Sequence, residues 1–189
     1  MQSGFQPPLI VWGLSLKTMK LPLTIEPNPV LRAHNRLIKK NELSALQKML
    51  DDMTDSMYAY RGIGIAATQV GLNIMVAIIH KDALDFKNKA LREKWNGTDF
   101  PIINPKIVSH SWGMANDEEG CLSVPGYYGT VKRYKKIIVE CWDREGNALK
   151  FIAGGYFARV LQHEIDHLNK TLYIDKATDI QKTDERAKK

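Results

Sequence analysis

Two histidines spaced four residues apart, with a glutamate directly after the first, carry the strongest chemical signal in the sequence. They are His163, Glu164 and His167, within the segment QHEIDH. Residues four apart lie on the same face of an α-helix, so both imidazoles can bind one metal ion. The Glu164 carboxylate is adjacent on the helix surface, where it can act as a base on a water molecule. The spacing therefore predicts a metal site on a helix.

The residues around this motif indicate that the helix is buried. Its metal-binding stripe also contains Tyr156 and Val160. The remaining faces are apolar as well: Phe157, Leu161, Ile165 and Leu168. A helix that is apolar on nearly all sides is buried, and buried imidazoles and carboxylates need partners. A metal ion supplies them, which disfavours the alternative of two surface histidines on an amphipathic helix.

Cys121 is the best candidate for the third ligand that a catalytic metal ion needs beside an open position. It lies in the segment EEGCLS, where Gly120 lets the backbone come close. A thiolate is a strong ligand for zinc or ferrous iron. The other cysteine, Cys141, lies within a predicted strand and is interpreted as a small buried core residue. With two cysteines in 189 residues, the chain is not a disulfide scaffold.

A glycine- and alanine-rich segment, GIGIAATQ at residues 62–69, is the other unusual feature. A phosphate-binding loop is the obvious competitor. However, no G-K-[ST] follows, and Ala67 stands where G-x-G-x-x-G requires its third glycine. The segment is interpreted as a tight loop that delivers Gln69 to a site.

The elements that must position these residues indicate an α+β domain. Apolar residues at spacings of three and four predict a helix from Asn41 to Tyr60. A second helix follows the Gly154-Gly155 pair and ends near Asn169, and residues 80–100 are expected to form a polar surface excursion. Strands are predicted at residues 74–79, 101–108, 136–142, 148–152 and 172–174. Because they cluster as hairpins rather than alternating with helices, α+β is favoured over a doubly wound sheet.

Charge and hydropathy exclude some function classes. No apolar run reaches the roughly 20 residues of a membrane-spanning helix, and the uncharged N-terminus is a poor secretory signal. The net charge of +6 is spread along the chain, without a nucleic-acid-binding motif. Either a solvated basic surface or a surface that faces the ribosome or RNA explains it.

The segments GIGIAATQ, EGCLS and QHEIDH, in that order, resemble the three signature motifs of the peptide deformylase family. The resemblance covers about residues 23–176 and implies antiparallel β-sheets packed around a central buried helix that carries HEIDH. It implies a hydrolase that removes the formyl group from the N-terminal formyl-methionine of nascent polypeptides and releases formate. The chain then divides into a tail at 1–20 (disordered, or a mis-assigned start), a catalytic domain at 21–176 and a charged tail at 177–189, helical or frayed.

The resemblance also implies a role for each motif residue. The metal ligands are Cys121, His163 and His167. The catalytic groups are Glu164 as general acid and base, with the Gln69 amide and the Leu122 backbone N–H as oxyanion donors. The substrate-binding residues are Gly64 and Gly120 through their backbones, with Ile63, Tyr156 and Val160 around the methionine side chain. The metal is one divalent ion, Fe²⁺ in vivo, with Zn²⁺, Ni²⁺ or Co²⁺ as alternatives.

The expected partners are the formyl-methionyl nascent peptide and the ribosome near its exit tunnel, in the bacterial cytoplasm or, alternatively, in an organelle. Two departures from the family pattern stand out. Lys170 replaces a glycine after the HEIDH helix, so Asn169 is expected to supply the left-handed end residue. Tyr128 replaces an arginine, which puts contacts to the peptide beyond methionine in question.

Two rival functions remain. A zinc-dependent HExxH peptidase explains the helix but neither Cys121 nor GIGIAATQ. A non-catalytic translation module with a structural metal needs a fourth protein ligand, for which the sequence offers no well-spaced candidate.

Overall fold

The computed structural model describes residues 19–183, in which three α-helices and eight β-strands alternate with short 3-10 turns. The helices are α1 (Leu43–Ala59), α2 (Lys89–Lys94) and α3 (Gly155–Leu168). The strands are β1 (Gly64–Ala66), β2 (Val76–Ile79), β3 (Phe100–His110), β4 (Met114–Cys121), β5 (Val124–Tyr134), β6 (Lys136–Trp142), β7 (Ala148–Gly154) and β8 (Thr178–Lys182). No helix among the described residues is long and apolar enough to cross a membrane.

The strands form two antiparallel sheets. The larger has five strands in the order β1-β2-β3-β6-β7, and the smaller has three in the order β4-β5-β8. Every pairing between neighbouring strands is antiparallel. The predicted α+β class is confirmed.

Alternation along the strands of the larger sheet separates two apolar cores. Successive side chains of a strand point to opposite faces, so Ile65 and Ile78 pack with α1 while Ala66 and Ala77 pack with α3. The other side of α3 contacts the β4–β5 hairpin. The helix that carries HEIDH is therefore enclosed between the two sheets, as predicted.

The prediction for α1 is confirmed within two residues at its start, where a 3-10 turn at Lys40–Glu42 precedes it. Four of the apolar residues at these spacings, Leu46, Leu50, Met53 and Met57, are buried together with Met49, while Leu43 is only partly buried. Two polar side chains on the same helix are also buried, and both bind the entering chain. The N–H of Met19 donates to Asp52, and that of Leu21 donates to the Ser56 hydroxyl.

Several predictions of local structure are wrong. The segment at residues 80–100 is not a purely surface excursion, because Phe86 and Trp95 are buried in the core beside α3. The expected strand at 172–174 is instead a 3-10 turn at Tyr173–Asp175. The tail is neither helical nor frayed at Thr178–Lys182, which pair with β5 as β8.

Two further points concern element boundaries and the chain ends. The predicted strand at 74–79 begins at Val76, while Ile74 forms an isolated bridge with Arg36. The long β4–β5 hairpin was not predicted at all. The expected tail at residues 1–20 and the last residues of the C-terminal tail lie mostly outside the described residues.

Candidate metal centre and cleft

A cleft of about 700 Å³ lies between α3, the β4–β5 hairpin and the glycine-rich segment before Gln69. Ten of the eleven residues expected at the site line it: Ile63, Gly64, Gln69, Gly120, Cys121, Leu122, Tyr156, Val160, His163 and Glu164. The eleventh, His167, is buried beside the wall and contacts Cys121. The structure therefore brings together three segments that are far apart in sequence.

Cys121, His163 and His167 converge as a metal-ligand group. Their ligand atoms all lie within 4.8 Å of one another, and Cys121 Sγ is 3.2 Å from His167 Nε2. Metal–sulfur and metal–nitrogen bonds of about 2.3 and 2.0 Å place tetrahedral ligands about 3.5 Å apart. Cys121 is the last residue of β4, and both histidines project from α3. The donor set and its spacing fit one divalent metal ion.

The second nitrogen of each imidazole indicates which atom is free to bind metal. His163 Nδ1 lies 3.0 Å from Glu119 Oε2, which leaves Nε2 for an ion. His167 presents Nε2 to Cys121, and its Nδ1 has no hydrogen-bond partner among the described residues. Burial lowers the pKa of His167 well below its ordinary value. This keeps the imidazole neutral, as metal ligation requires.

Glu119 is a functional candidate that the sequence analysis missed. Burial alone would raise the pKa of this carboxyl, but hydrogen bonds with Arg133 and His163 outweigh burial and hold it far below its ordinary value. Arg133 binds both carboxylate oxygens, at 2.9 and 2.8 Å, and Arg159 binds one of them at 2.6 Å. The available signal was the position of Glu119 within EEGCLS, two residues before the cysteine.

Glu164 is a buried carboxyl that faces the cleft. It is 3% exposed, and its Oε2 has no hydrogen-bond partner among the described residues. Burial raises its pKa to about 7, against the opposing influence of His163. Gly64 packs directly on it, since a Cβ added there would lie 2.5 Å from Glu164 Oε1. A side chain at residue 64 would therefore displace the Glu164 side chain.

Gln69 is oriented by its own backbone neighbourhood. A short strand and a 3-10 turn at Ala67–Val70 replace the tight loop expected there, and they still deliver Gln69 to the cleft. Its Oε1 accepts from the N–H of Ala66 at 2.8 Å. Because that donor needs an oxygen, the amide NH₂ must face the site, where Nε2 is 3.5 Å from Cys121 Sγ.

Leu122 lies in the two-residue turn that joins β4 to β5, directly after the cysteine. The turn is tight because Cys121 pairs with Val124 across it. The N–H of Ser123 in this turn also approaches Cys121 Sγ, at 3.4 Å. The turn therefore places at least one backbone N–H group close to the Cys121 sulfur.

The remaining candidates line the cleft with different exposures. Val160 is buried and Ile63 partly buried, whereas Tyr156 is 56% exposed at the rim. Tyr128 projects from β5 and donates a hydrogen bond to Gln181 on β8, and it does not line the cleft.

The end of α3 corrects one expectation. Asn169 does not supply the left-handed residue, because its φ is −99°. Lys170 itself takes that conformation, with φ +67°. A Cβ makes this conformation unfavourable, so the lysine occupies a position that suits glycine.

Comparisons with known proteins agree on one family. The family model for polypeptide deformylase matches residues 20–183. The peptide deformylase of Symbiobacterium thermophilum is 39% identical, over 87% of this chain and 70% of the relative. Peptide deformylase 2 of Vibrio cholerae is 39% identical, over 82% of this chain and 84% of the relative. The chloroplastic peptide deformylase 1B of Solanum lycopersicum is 37% identical, over 81% of this chain and 51% of the relative.

Solved structures show the same likeness. The peptide deformylase of Thermotoga maritima superposes with a TM-score of 0.74 at 31% identity, over 86% of this chain and 99% of that protein. A class I type b peptide deformylase of Acinetobacter baumannii, with Met-Ala-Ser bound, has a TM-score of 0.74 at 30% identity. That match covers 85% of this chain and 99% of the other.

Proposed function

This chain belongs to the polypeptide deformylase family, and on that premise we propose which of its residues carry out each part of the reaction. It is a metal-dependent hydrolase that removes the formyl group from the N-terminus of nascent polypeptides and releases formate. The family acts on formyl-methionyl peptides. The HExxH peptidase is not favoured, because the matching relatives are deformylases along most of the chain.

We propose that Cys121, His163 and His167 would hold the metal ion, as the three protein ligands that a catalytic site needs. The convergence of their ligand atoms within 4.8 Å is the observation that carries this assignment. One thiolate and two imidazoles suit several divalent ions. We propose Fe²⁺ as the native ion, with Zn²⁺, Ni²⁺ or Co²⁺ able to replace it. When bound, the ion supplies Lewis-acid chemistry, which acidifies water and polarises the formyl carbonyl.

Glu164 serves as general base and then as general acid. It accepts a proton from the attacking water and passes it to the methionine nitrogen as the C–N bond breaks. Its raised pKa of about 7 supports both roles, because a group that titrates near the working pH both accepts and returns a proton readily. Its Oε2, which has no hydrogen-bond partner within residues 19–183, is available for this transfer.

Gln69 and Leu122 stabilise the oxyanion that develops on the formyl oxygen. The Gln69 NH₂ faces the site because the Ala66 N–H occupies its other end. The backbone N–H of Leu122 lies in the turn directly after Cys121. Donors fixed before the reaction stabilise developing charge without reorganisation.

The rest of the cleft binds the peptide. Gly64 and Gly120 offer backbone groups to the substrate chain. Ile63, Tyr156 and Val160 surround the unbranched methionine side chain, which adapts to an irregular apolar slot. All of these residues line the same cleft as Cys121 and His163.

The wider setting follows from the substrate. We propose that the enzyme works near the ribosomal exit tunnel, where the basic surface implied by the net charge of +6 favours approach to an anionic particle. The compartment is the bacterial cytoplasm or, alternatively, an organelle, since both bacterial and chloroplastic relatives match. We assign the reaction to residues 21–176, because the residues proposed for it lie between 63 and 167.

Formate release from formyl-Met-Ala-Ser tests the proposal, with acetyl-Met-Ala-Ser as the matched control. We expect release of formate and free Met-Ala-Ser, little deacetylation, and loss of activity when a chelator removes the metal. Cleavage of the Met–Ala bond would favour the peptidase. Absence of formate at full metal occupancy would refute the assigned activity.

A further inference from the structure

Arg159 lies where the helix that carries the histidines meets the hairpin that carries the cysteine. Its buried guanidinium donates from Nη1 to the Val131 carbonyl at 3.0 Å and from Nη2 to the Ala115 carbonyl at 2.9 Å. Ala115 belongs to β4 and Val131 to β5. One side chain of α3 thus binds both strands of the hairpin.

The same guanidinium binds the carboxylate that contacts His163. Arg159 Nη1 donates to Glu119 Oε1 at 2.6 Å, while Glu119 Oε2 lies 3.0 Å from His163 Nδ1. Arg133 approaches this carboxylate from the hairpin itself. With one arginine from the hairpin and one from the helix, the carboxylate plane is fixed relative to the histidine.

Two further contacts join α3 to the hairpin. The Gln162 side chain accepts from the N–H of Tyr134 at 3.0 Å and donates to its carbonyl at 2.9 Å. Arg133 also pairs with Asp166 on α3. Gln162 therefore joins the same two elements as Arg159 but does not contact Glu119. It provides a comparison for a purely structural role.

We infer that Arg159 is a positioning residue for the metal centre: it holds Glu119 so that His163 keeps its proton on Nδ1 and presents Nε2 to the ion. The inference rests on the proposed ligand set. A group that receives the second N–H of a metal-bound histidine fixes the ring and its tautomer, and its loss typically weakens metal binding about 10–100-fold. Arg159 acts one step further out, through Glu119.

Zinc affinity and the His163 ring signal separate positioning from simple packing. The variants are Arg159→Met, Arg159→Lys and, as matched control, Gln162→Met. Each is purified with metal, and its Zn²⁺ affinity is measured by chelator competition. The tautomer and Nδ1–H exchange of His163 are read by ¹⁵N-histidine NMR on the zinc-loaded protein.

We expect Arg159→Met to bind Zn²⁺ about 10-fold more weakly, at the lower end of outer-shell effects, with faster exchange of the His163 Nδ1–H. Arg159→Lys retains the cation and contact with Glu119, so its affinity and ring signal should lie between those of wild type and Arg159→Met. Gln162→Met should lose stability but keep the zinc affinity and His163 signal of the wild type.

Several results would overturn the inference. One is a wild-type zinc affinity and ring signal in Arg159→Met. Another is an equal loss of affinity in Gln162→Met, which would assign the effect to helix–hairpin packing. A third is a raised KM for formyl-Met-Ala-Ser with an unchanged ring signal, which would make Arg159 a substrate contact. If Arg159→Met does not fold, an unchanged zinc affinity in Arg159→Lys has the same consequence.

Failure of the inference is distinguishable from failure of the proposed function. If the ligand set or the activity is wrong, the wild-type protein itself will not bind Zn²⁺ at these residues or release formate. If only the inference is wrong, the wild type does both and the Arg159 variants resemble it.

Discussion

Two side-chain clusters that meet on α3, one aromatic and one polar, differ in the groups that they bury. The aromatic cluster includes Phe157 of α3, with the Phe86 ring 5.1 Å away in an edge-to-face arrangement. Phe100 and Phe151 complete the cluster, at 5.3 and 5.2 Å from Phe86. The polar cluster consists of Cys121, His163, Glu164 and His167. Two of its polar atoms, Glu164 Oε2 and His167 Nδ1, have no hydrogen-bond partner among the described residues.

The difference separates stability from chemistry along one helix. Burial of apolar rings stabilises the fold, and edge-to-face pairs add about 0.5–1.5 kcal/mol each. A buried polar group without a partner instead costs about 1–3 kcal/mol. The aromatic cluster offsets this cost and stabilises the position of the helix. The polar cluster therefore remains available for metal and substrate. Removal of a ring from the aromatic cluster should therefore affect stability, and removal of a proposed metal ligand or of the Glu164 carboxyl should affect activity.

Cys121→Ala should have the largest effect, and it acts on the polar cluster. It removes a proposed ligand, so the loss of zinc affinity should exceed the roughly 10–100-fold typical of outer-shell changes. Formate release should fall to background, and the metal-free protein should remain folded. Chelator competition and circular dichroism measure these effects. Retention of one tightly bound zinc would remove Cys121 from the ligand set.

Phe86→Ala should lower stability rather than activity, because it acts on the aromatic cluster. Removal of a buried phenylalanine costs about 3–5 kcal/mol, measured by urea denaturation of the metal-free protein. The kcat of the folded enzyme should be unchanged. The control is Trp112→Ala, whose ring is fully exposed and whose loss should change stability by no more than about 0.5 kcal/mol. A large kcat loss in folded Phe86→Ala would mean that the aromatic cluster contributes to activity as well as to stability.

Gln69→Ala changes a residue beside the polar cluster, where Nε2 lies 3.5 Å from Cys121 Sγ. Loss of an oxyanion donor should lower kcat by about 10²–10³, with a smaller change in KM because the charge grows only in the transition state. Gln69→Glu should not restore activity, since a carboxylate offers no donor. Both variants are compared at matched metal content. Normal turnover in both would reduce Gln69 to a packing residue.

Lys170→Gly should have the smallest effect, and a favourable one. Relief of the left-handed conformation at the end of α3 should raise the free energy of unfolding by about 1 kcal/mol, with kcat unchanged. Lys132→Gly, an exposed control within β5, should instead lower stability because glycine weakens a strand. A loss of stability in Lys170→Gly would show that the lysine makes a compensating contact.

Local patterns were sufficient to predict α1, α3 and the β6–β7 hairpin, because each has a clear apolar period or turn signal. Cys141 is buried, as expected. The β4–β5 hairpin was missed because its charged run, Asn116 to Glu119, and its Pro125-Gly126 pair are typical of loops. Phe86 and Trp95 were missed because a polar segment surrounds them, and only the tertiary fold shows that they enter the core.

The candidate site was predictable where its residues lie in short motifs. The three proposed ligands, Glu164 and Gln69 all belong to such segments, and all lie at the same cleft. Arg133 and Arg159 were not predictable, because each is defined by a partner distant in sequence, at Glu119. Pairing of buried charges over such separations leaves no periodic signal along the chain.

Glu164→Gln is the most direct test of Glu164 as the acid and base of the reaction. The change preserves the volume of the buried side chain and removes its capacity for proton transfer. Zinc content and formate release from formyl-Met-Ala-Ser are measured on the same preparation. We expect the Glu164→Gln protein to hold a full complement of zinc and to show a kcat lowered by about 10²–10⁴. Near-normal formate release, or loss of the zinc, would contradict the assignment of Glu164 as the acid and base of this site.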